Sequence, residues 1–163
     1  MTGSGEANGD GRPAGAQRRP DSAIDLNVAR RLEAIRQRYT RGRRLLVDSL
    51  LRARRPLTVT EIVSGGSELP ASSAYRNLAI LEQAAVVRRV QLSGEFARYE
   101  LSEELTSHHH HLVCVDCGSV VDVNPPPLLE ANVSATAKEV AAATGFRLES
   151  HRLDLIGHCQ ACS

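Results

Sequence analysis

The stretch PASSAYRNLAILEQAAVVRRVQLSGEFARYEL, residues 70–101, decides the fold of the N-terminal part of this chain. Ala74, Leu78 and Leu81 recur at i, i+4 and i+7, so they share one helical face that runs to about residue 84, and Pro70 stands where a helix start tolerates proline. Ser72, Ser73, Tyr75, Arg76 and Asn77 then lie at the N-terminal end of that helix. Val86–Leu92 and Phe96–Leu101, joined by the turn signal Ser93-Gly94, read as a two-stranded hairpin. Upstream, Thr58 and Glu61 have capping-box spacing for a short helix that Ser64-Gly-Gly-Ser67 stops. Leu45, Leu46, Val47, Leu50 and Leu51 fit a helix ended by Pro56. Val28, Leu32, Ile35 and Tyr39 fit an earlier one, which Gly42 interrupts. Helices followed by a hairpin are the order of a winged helix-turn-helix, assigned to residues 26–101. The Gly- and Pro-rich residues 1–25 are expected to be a disordered tail.

Beyond Leu101 the pattern changes. Residues 102–107 read as a hinge. His108–Val115 and Ser119–Val123 suggest two short strands, and Pro125-Pro-Pro127 breaks the chain. An Ala-rich helix is expected over Leu128 to about Ala143, closed by Gly145, followed by a strand over Phe146–Ile156. Residues 108–163 thus form a small α/β unit, and the fold class is α+β.

The 163 residues fit one domain or two small ones and are too few for a barrel enzyme. With 42% hydrophobic and 24% charged residues the chain is expected to fold as a globular protein. The core must come from Leu, Val, Ile and Ala, because there is no Trp and there are only two Phe and three Tyr. No apolar run approaches the roughly 20 residues that span a bilayer, and no signal-peptide core opens the chain, so no membrane association or secretion is expected.

The net charge of +1 hides a division. Residues 26–99 carry fourteen Arg against six carboxylates, whereas residues 100–163 carry nine carboxylates against three basic side chains. The first half is suited to a polyanion, and the alternative is a set of solvated helix faces.

Four cysteines stand in two pairs, Cys114-Val-Asp-Cys117 and Cys159-Gln-Ala-Cys162, about 41 residues apart. A redox motif needs one such pair opening a helix, so the arrangement reads as a four-thiolate structural zinc site, with two disulfides as the alternative. Gly118 permits the tight turn of a zinc knuckle. Thiolate ligands imply a reducing, cytoplasmic setting. The run His108–His111, if extended, sends His108 and His110 to one face and His109 and His111 to the other. Completed by carboxylates, each pair suits zinc, iron or manganese; the alternative is a polar surface run.

His108-His-His-His-Leu-Val-Cys-Val-Asp-Cys-Gly118 resembles the metal-binding signature of the ferric uptake regulator family of bacterial metalloregulators. Ser73-Ala-Tyr-Arg76 resembles its recognition-helix signature, Arg38-Tyr-Thr-Arg-Gly-Arg43 its early Thr-x-x-Arg segment, and Gly157-His-Cys-Gln-Ala-Cys162 its C-terminal pair. The resemblance runs from about Asn27 to Cys162. It implies a homodimeric, metal-dependent repressor of metal-homeostasis or oxidative-stress genes, not an enzyme, with an N-terminal winged helix and a C-terminal dimerisation domain. The zinc-uptake and peroxide-sensing types of the family are both compatible with the resemblance, and the peroxide-sensing type uses the same ligand types.

Carried over residue by residue, the resemblance makes Cys114, Cys117, Cys159 and Cys162 structural Zn²⁺ ligands. It makes Glu100, His109 and His111 a regulatory hinge site for Zn²⁺, Fe²⁺ or Mn²⁺. His108, His110, Glu130 and His151 become a second site. Ser73, Tyr75 and Arg76, with Arg41, Arg43 and Arg44, become contacts to a palindromic double-stranded DNA operator. Iron-type relatives take a further hinge ligand before Thr58, where this chain has Arg55-Pro-Leu57, and zinc-type relatives use positions that here hold Arg88 and Ser102. Glu103, Glu104 or water are the replacements the sequence offers. A zinc hydrolase would need a catalytic motif such as HExxH, which the chain lacks. A metal-buffering or partner-binding dimer that no longer reads DNA is the alternative function.

Overall fold

A computed structural model describes residues 23–65, 69–90 and 97–163. The assigned tail therefore shortens. Ala23, Ile24 and Asp25 already belong to the first helix, α1 (Ala23–Ala34), and residues 1–22 lie outside the described residues, as do the hairpin turn Ser93-Gly94 and Phe96.

The first helix also ends earlier than its apolar spacing suggests. Arg36 adopts a left-handed backbone (φ 57°), and the chain turns back so that the Tyr39 hydroxyl donates to Asp25 Oδ1 at 2.8 Å. Gly42 interrupts nothing: it sits in the first turn of α2 (Arg41–Ala53), which begins after Thr40. A Cβ there would lie 3.3 Å from Leu69 Cδ2, so the glycine admits a close approach from the segment that precedes Pro70.

After β1 (Leu57–Thr58) comes α3 (Val59–Ser64), opened by the capping box in full: Glu61 N–H donates to Thr58 Oγ1 at 3.1 Å, and Thr58 N–H to Glu61 Oε2 at 2.7 Å. The helix α4 (Ala71–Gln83) follows, then β2 (Val87–Val90) and β3 (Arg98–Leu101). β1 adds a third strand that the hairpin reading lacked, giving an antiparallel sheet in the order β1-β3-β2. Ala74, Leu78 and Leu81, the residues whose spacing marks α4, are fully buried beside Leu46 and Val47 of α2 and Leu32 of α1. Each such leucine contributes about 2 kcal/mol by leaving water.

A 3₁₀ turn (Glu103–Leu105), anchored by buried Leu105, leads to the second sheet. There β4 (His110–Cys114) is central, antiparallel to β5 (Val120–Val123) and parallel to β6 (Asp154–Gly157), with α5 (Pro127–Thr144) between them. The strand expected over Phe146–Ile156 is confined to its last residues and runs on to Gly157. β4 starts at His110, and in the register His111↔Asp154 to Cys114↔Gly157 it offers residues 146–153 no continuous ladder. Among the described residues no helix is long and apolar enough to cross a membrane.

Candidate metal centres and nucleic-acid interface

The two Cys pairs meet at the end of the second sheet. β4 ends in Cys114, the parallel pairing brings Gly157 of β6 alongside it, and Cys159 follows two residues later. Gly118 takes φ +66°, its N–H donates to Cys114 O at 3.0 Å, and the first knuckle turns back on itself. Asp116 Oδ2 accepts from His158 Nδ1 at 2.6 Å, which fastens one knuckle to the other. All four cysteines are free thiols, and Cys117 Sγ stands 3.7 Å from Cys159 Sγ. That is far beyond a disulfide bond but matches the sulfur–sulfur edge of about 3.8 Å in a tetrahedron with metal–sulfur bonds of about 2.3 Å. The donor set therefore fits zinc rather than two disulfides. Backbone N–H groups of Cys117 and Cys159 pull the Cys114 thiol down to about 6, whereas hydrogen bonding to Cys159 and Cys117 pushes Cys162 up to about 12. A nest that favours the first thiolate and resists the last is one that a dication completes.

The histidine run alternates as its sequence requires. On one face of β4, Glu130 of α5 gathers His110 Nε2 at 2.7 Å, His151 Nε2 at 3.0 Å and His108 Nε2 at 3.4 Å. The hydrogen bond from His110 holds the Glu130 carboxyl below its ordinary range despite partial desolvation, with the charges of His108 and His151 adding to it. His151 Nε2 is buried without a well-formed hydrogen bond, an orphan that a metal would satisfy.

The opposite face holds the third cluster: Glu100, His109, His111 and Asp122 each offer a ligand atom, all within 4.8 Å of one another. Glu100 comes from β3 of the first sheet. In that strand Tyr99 and Leu101 fill the core, so alternation turns Arg98 and Glu100 toward the second sheet. Glu100 Oε2 lies 3.0 Å from His111 Nε2 and 3.3 Å from His109 Nε2. Behind the rings, His109 Nδ1 donates to Ser107 O at 2.8 Å and His111 Nδ1 faces Asp154 Oδ1 at 3.3 Å, which turns both Nε2 atoms into the cluster. Burial would raise the Glu100 carboxyl, but the hydrogen bond from His111 and the charge of Arg88 outweigh it and hold it low. Burial likewise opposes the His111 imidazolium, and its hydrogen bond to Glu100 reverses that, raising its pKa.

Asp122, which the sequence reading missed, stands opposite His111 in the β4–β5 register. Burial raises its carboxyl, only partly offset by His109 and His111, and Oδ1 has no hydrogen-bond partner among the described residues. Its signal was a lone carboxylate in the apolar strand Val120-Val-Asp-Val123. The replacements offered by the sequence lie elsewhere: Glu103 binds Arg88 and His108, and Glu104 binds Arg31. Hydrogen bonding to His108 and the charge of Arg88 keep the Glu103 carboxyl low against the opposing effect of its partial burial.

On the first domain, Tyr75 is 56% exposed and Arg76 is exposed, both near the start of α4. Ser73 is half-buried, its hydroxyl 3.4 Å from Arg76 Nη2. Arg41 is exposed, and Arg44 stacks 4.3 Å from the Tyr39 ring and pairs with Asp25 at 3.4 Å. Arg43 corrects the expectation of a phosphate contact. It is buried, donating to Gln37 Oε1 at 2.7 Å, to Arg38 O and to Asn77 Oδ1 at 3.3 Å, because it shares the inward face of α2 with Leu46, Val47 and Leu50.

A sequence profile described as "Ferric uptake regulator family" matches residues 35–156. The chain belongs to the ferric uptake regulator family. The ferric uptake regulation protein of Escherichia coli strain K12 is 34% identical over 98 residues, 60% of this chain and 62% of that protein. The peroxide operon regulator of Bacillus subtilis strain 168 is 33% identical over 92 residues, 56% of this chain and 58% of that protein. The chain thus matches about three-fifths of the length of these curated relatives. The solved Helicobacter pylori ferric uptake regulator, for which three functional metal-binding sites are described, shares the fold: TM-score 0.68, 22% identity, 86% of this chain and 94% of that one. Ferric uptake regulator family members are metal-dependent transcription regulators that work as homodimers, not enzymes.

Proposed function

We propose that this protein is a cytoplasmic, homodimeric repressor that binds a palindromic double-stranded DNA operator when a divalent metal fills its hinge cluster, and so controls metal-homeostasis or oxidative-stress genes. One observation carries the reading: Glu100 comes from the winged-helix sheet, while His109, His111 and Asp122 come from the second sheet or the strand entering it. A dication there supplies the charge that the Glu100 and Asp122 carboxylates require. The residues on either side then do the rest. Glu100 holds β3, and with it α4, in one orientation relative to the second domain, which selects one spacing of two recognition helices on successive major grooves. In this reading Tyr75 meets a thymine methyl and Arg76 a phosphate.

Cys114, Cys117, Cys159 and Cys162 would hold structural zinc, and His108, His110, Glu130 and His151 a second ion. The surface left by Leu112, Val121, Leu128, Val140, Leu155 and Ile156, all exposed in the single chain, is what a second copy would cover. The test strips loosely held metal from the full chain, adds zinc, iron(II) or manganese(II) in turn, and selects fragments of genomic DNA at fixed salt. Selective binding with one ion, while one zinc per chain survives stripping, is the expected result. Loaded histidines without selective binding by any ion would leave a metal-buffering or partner-binding dimer in its place.

A further inference from the structure

We propose that Glu103 and Arg88 form a relay joining the two histidine clusters, so that filling the His108 cluster with metal tightens the Glu100 cluster. The proposal rests on the reading that both clusters take a divalent ion. Every member of the relay faces two ways. His108 turns Nε2 toward Glu130, 3.4 Å away, and Nδ1 toward Glu103 Oε2 at 2.9 Å. The other Glu103 oxygen forms an ion pair with Arg88 Nη2 at 2.8 Å, close but not aligned as a hydrogen bond. Arg88 Nε donates to Glu100 Oε1, and Glu100 Oε2 is the oxygen that meets His111 and His109.

Backbone structure fixes the anchor points of this chain of contacts. Arg88 stands opposite Glu100 in the β2–β3 register, a cross-strand ion pair. Glu103 opens the 3₁₀ turn whose Leu105 N–H donates to Ser102 O at 2.9 Å. The relay therefore runs from the winged-helix sheet through the hinge to the residue that precedes β4 by two positions.

The sign of the coupling follows from order. Arg and Glu lose more rotamer freedom on being fixed than almost any other side chains. An ion on His108 Nε2 leaves the proton on Nδ1 and strengthens its bond to Glu103, which fixes Arg88 and presents Glu100 in place. The ordering then happens once, when the first cluster fills, and the second ion binds a prepared site. Repulsion between the two ions is reduced because Glu130 lies in one cluster and Glu100 and Asp122 in the other.

Cobalt(II) is the probe, titrated into the full chain with cysteine-bound zinc retained. Visible absorption and calorimetry report each cluster, and loss of signal in E100A assigns the hinge band. His151→Ala disables the second cluster while leaving Glu103 and Arg88 in place, and because His151 also packs on His108, the double-mutant cycle with Glu103→Ala is what isolates the coupling. In the parent chain H151A should weaken cobalt binding at the hinge cluster about fivefold or more, the lower end of ordinary site-to-site coupling. In the E103A background the same change should be less than about twofold. E103Q keeps the side-chain length but offers one acceptor oxygen instead of two, and should uncouple the clusters as E103A does. An H151A effect of equal size in both backgrounds, or none in the parent, would overturn the relay. A parent chain that loads cobalt at only one cluster would overturn the two-site reading and the relay with it.

Discussion

Asp122→Asn should make the metal-free chain more stable and the metal-binding chain weaker. Asp122 Oδ1 is buried without a hydrogen-bond partner, and the nearest ring nitrogen, His111 Nε2, stands 3.8 Å away. An unpartnered buried carboxylate oxygen costs about 1–3 kcal/mol, and removing the charge recovers part of it. If about 1 kcal/mol is recovered, a chain of this length gains roughly 2–4 °C in Tm at neutral pH. The pH dependence fixes the cause. Desolvation raises the folded pKa of Asp122 above its ordinary 3.8, so the folded chain keeps this proton after the unfolded chain has released it. Stability from this group is therefore present below about pH 4 and falls as pH rises through the raised value. The gap between variant and parent should open from about pH 4 upward and be complete once Asp122 is ionised in both states. Zinc affinity at the hinge cluster should fall at least about tenfold, the lower end of what losing even a group that only orients a ligand costs. Calorimetric melts of stripped protein across pH 3.5–8 and zinc competition with a chelator measure both arms. A lower metal-free Tm at pH 7, or unchanged hinge affinity, would refute the reasoning.

Cys117→Ser should abolish the zinc that resists chelation and loosen the knuckle end of the β5-β4-β6 sheet, read out by metal analysis and by hydrogen exchange at β6. Arg43→Ala should cost about 1–3 kcal/mol in chemical denaturation, because Gln37, Arg38 O and Asn77 lose a buried donor. Arg76→Ala should leave stability unchanged and lower the salt dependence of operator binding by about one phosphate contact, measured by fluorescence anisotropy against salt. Thr58→Ala should cost about 1 kcal/mol through the lost helix cap. The Glu61 carboxyl is held low: burial raises it, but the Thr58 N–H and Arg55 outweigh that. Its stabilisation is present above the ordinary carboxylate range and is lost as pH falls through the lowered value, so E61Q and parent melts should converge in acid.

Much of this molecule was legible before its structure, for identifiable reasons. The α4 positions Ala74, Leu78 and Leu81 are a repeating apolar signal with no competitor, and the Thr58–Glu61 capping box is entirely local. The histidine faces follow from strand alternation alone. What sequence could not supply depends on register or on the direction of one side chain. Asp122 joins the hinge cluster only because β5 pairs with β4 in one register. Arg43 lies in an arginine-rich run that reads as solvated, and its burial depends on which face of α2 packs inward, the face it shares with Leu46, Val47 and Leu50. The early end of α1 was hidden because Ile35 and Tyr39 continue the helical spacing past Ala34, across the left-handed Arg36, and Tyr39 returns to the same core by a tertiary hydrogen bond.

One strand then accounts for how the two halves are joined. β3 alternates Tyr99 and Leu101 into the winged-helix core with Arg98 and Glu100 toward the second sheet. Arg98 donates to Gly118 O at 2.6 Å and to Glu61 Oε2 at 2.8 Å, so one guanidinium ties the first cysteine knuckle to the capping box of α3. Glu100, two residues on, reaches the hinge cluster. The first contact joins an arginine to backbone and carboxylate oxygens, and the second is a set of hydrogen bonds from His111 and Arg88 to Glu100. The same strand thus carries a contact to the cysteine knuckle at Arg98 and, two residues on, a contact to the hinge cluster at Glu100. An ion filling that cluster, as proposed above, would act on the winged helix through Glu100, while Arg98 keeps the same strand tied to the first knuckle.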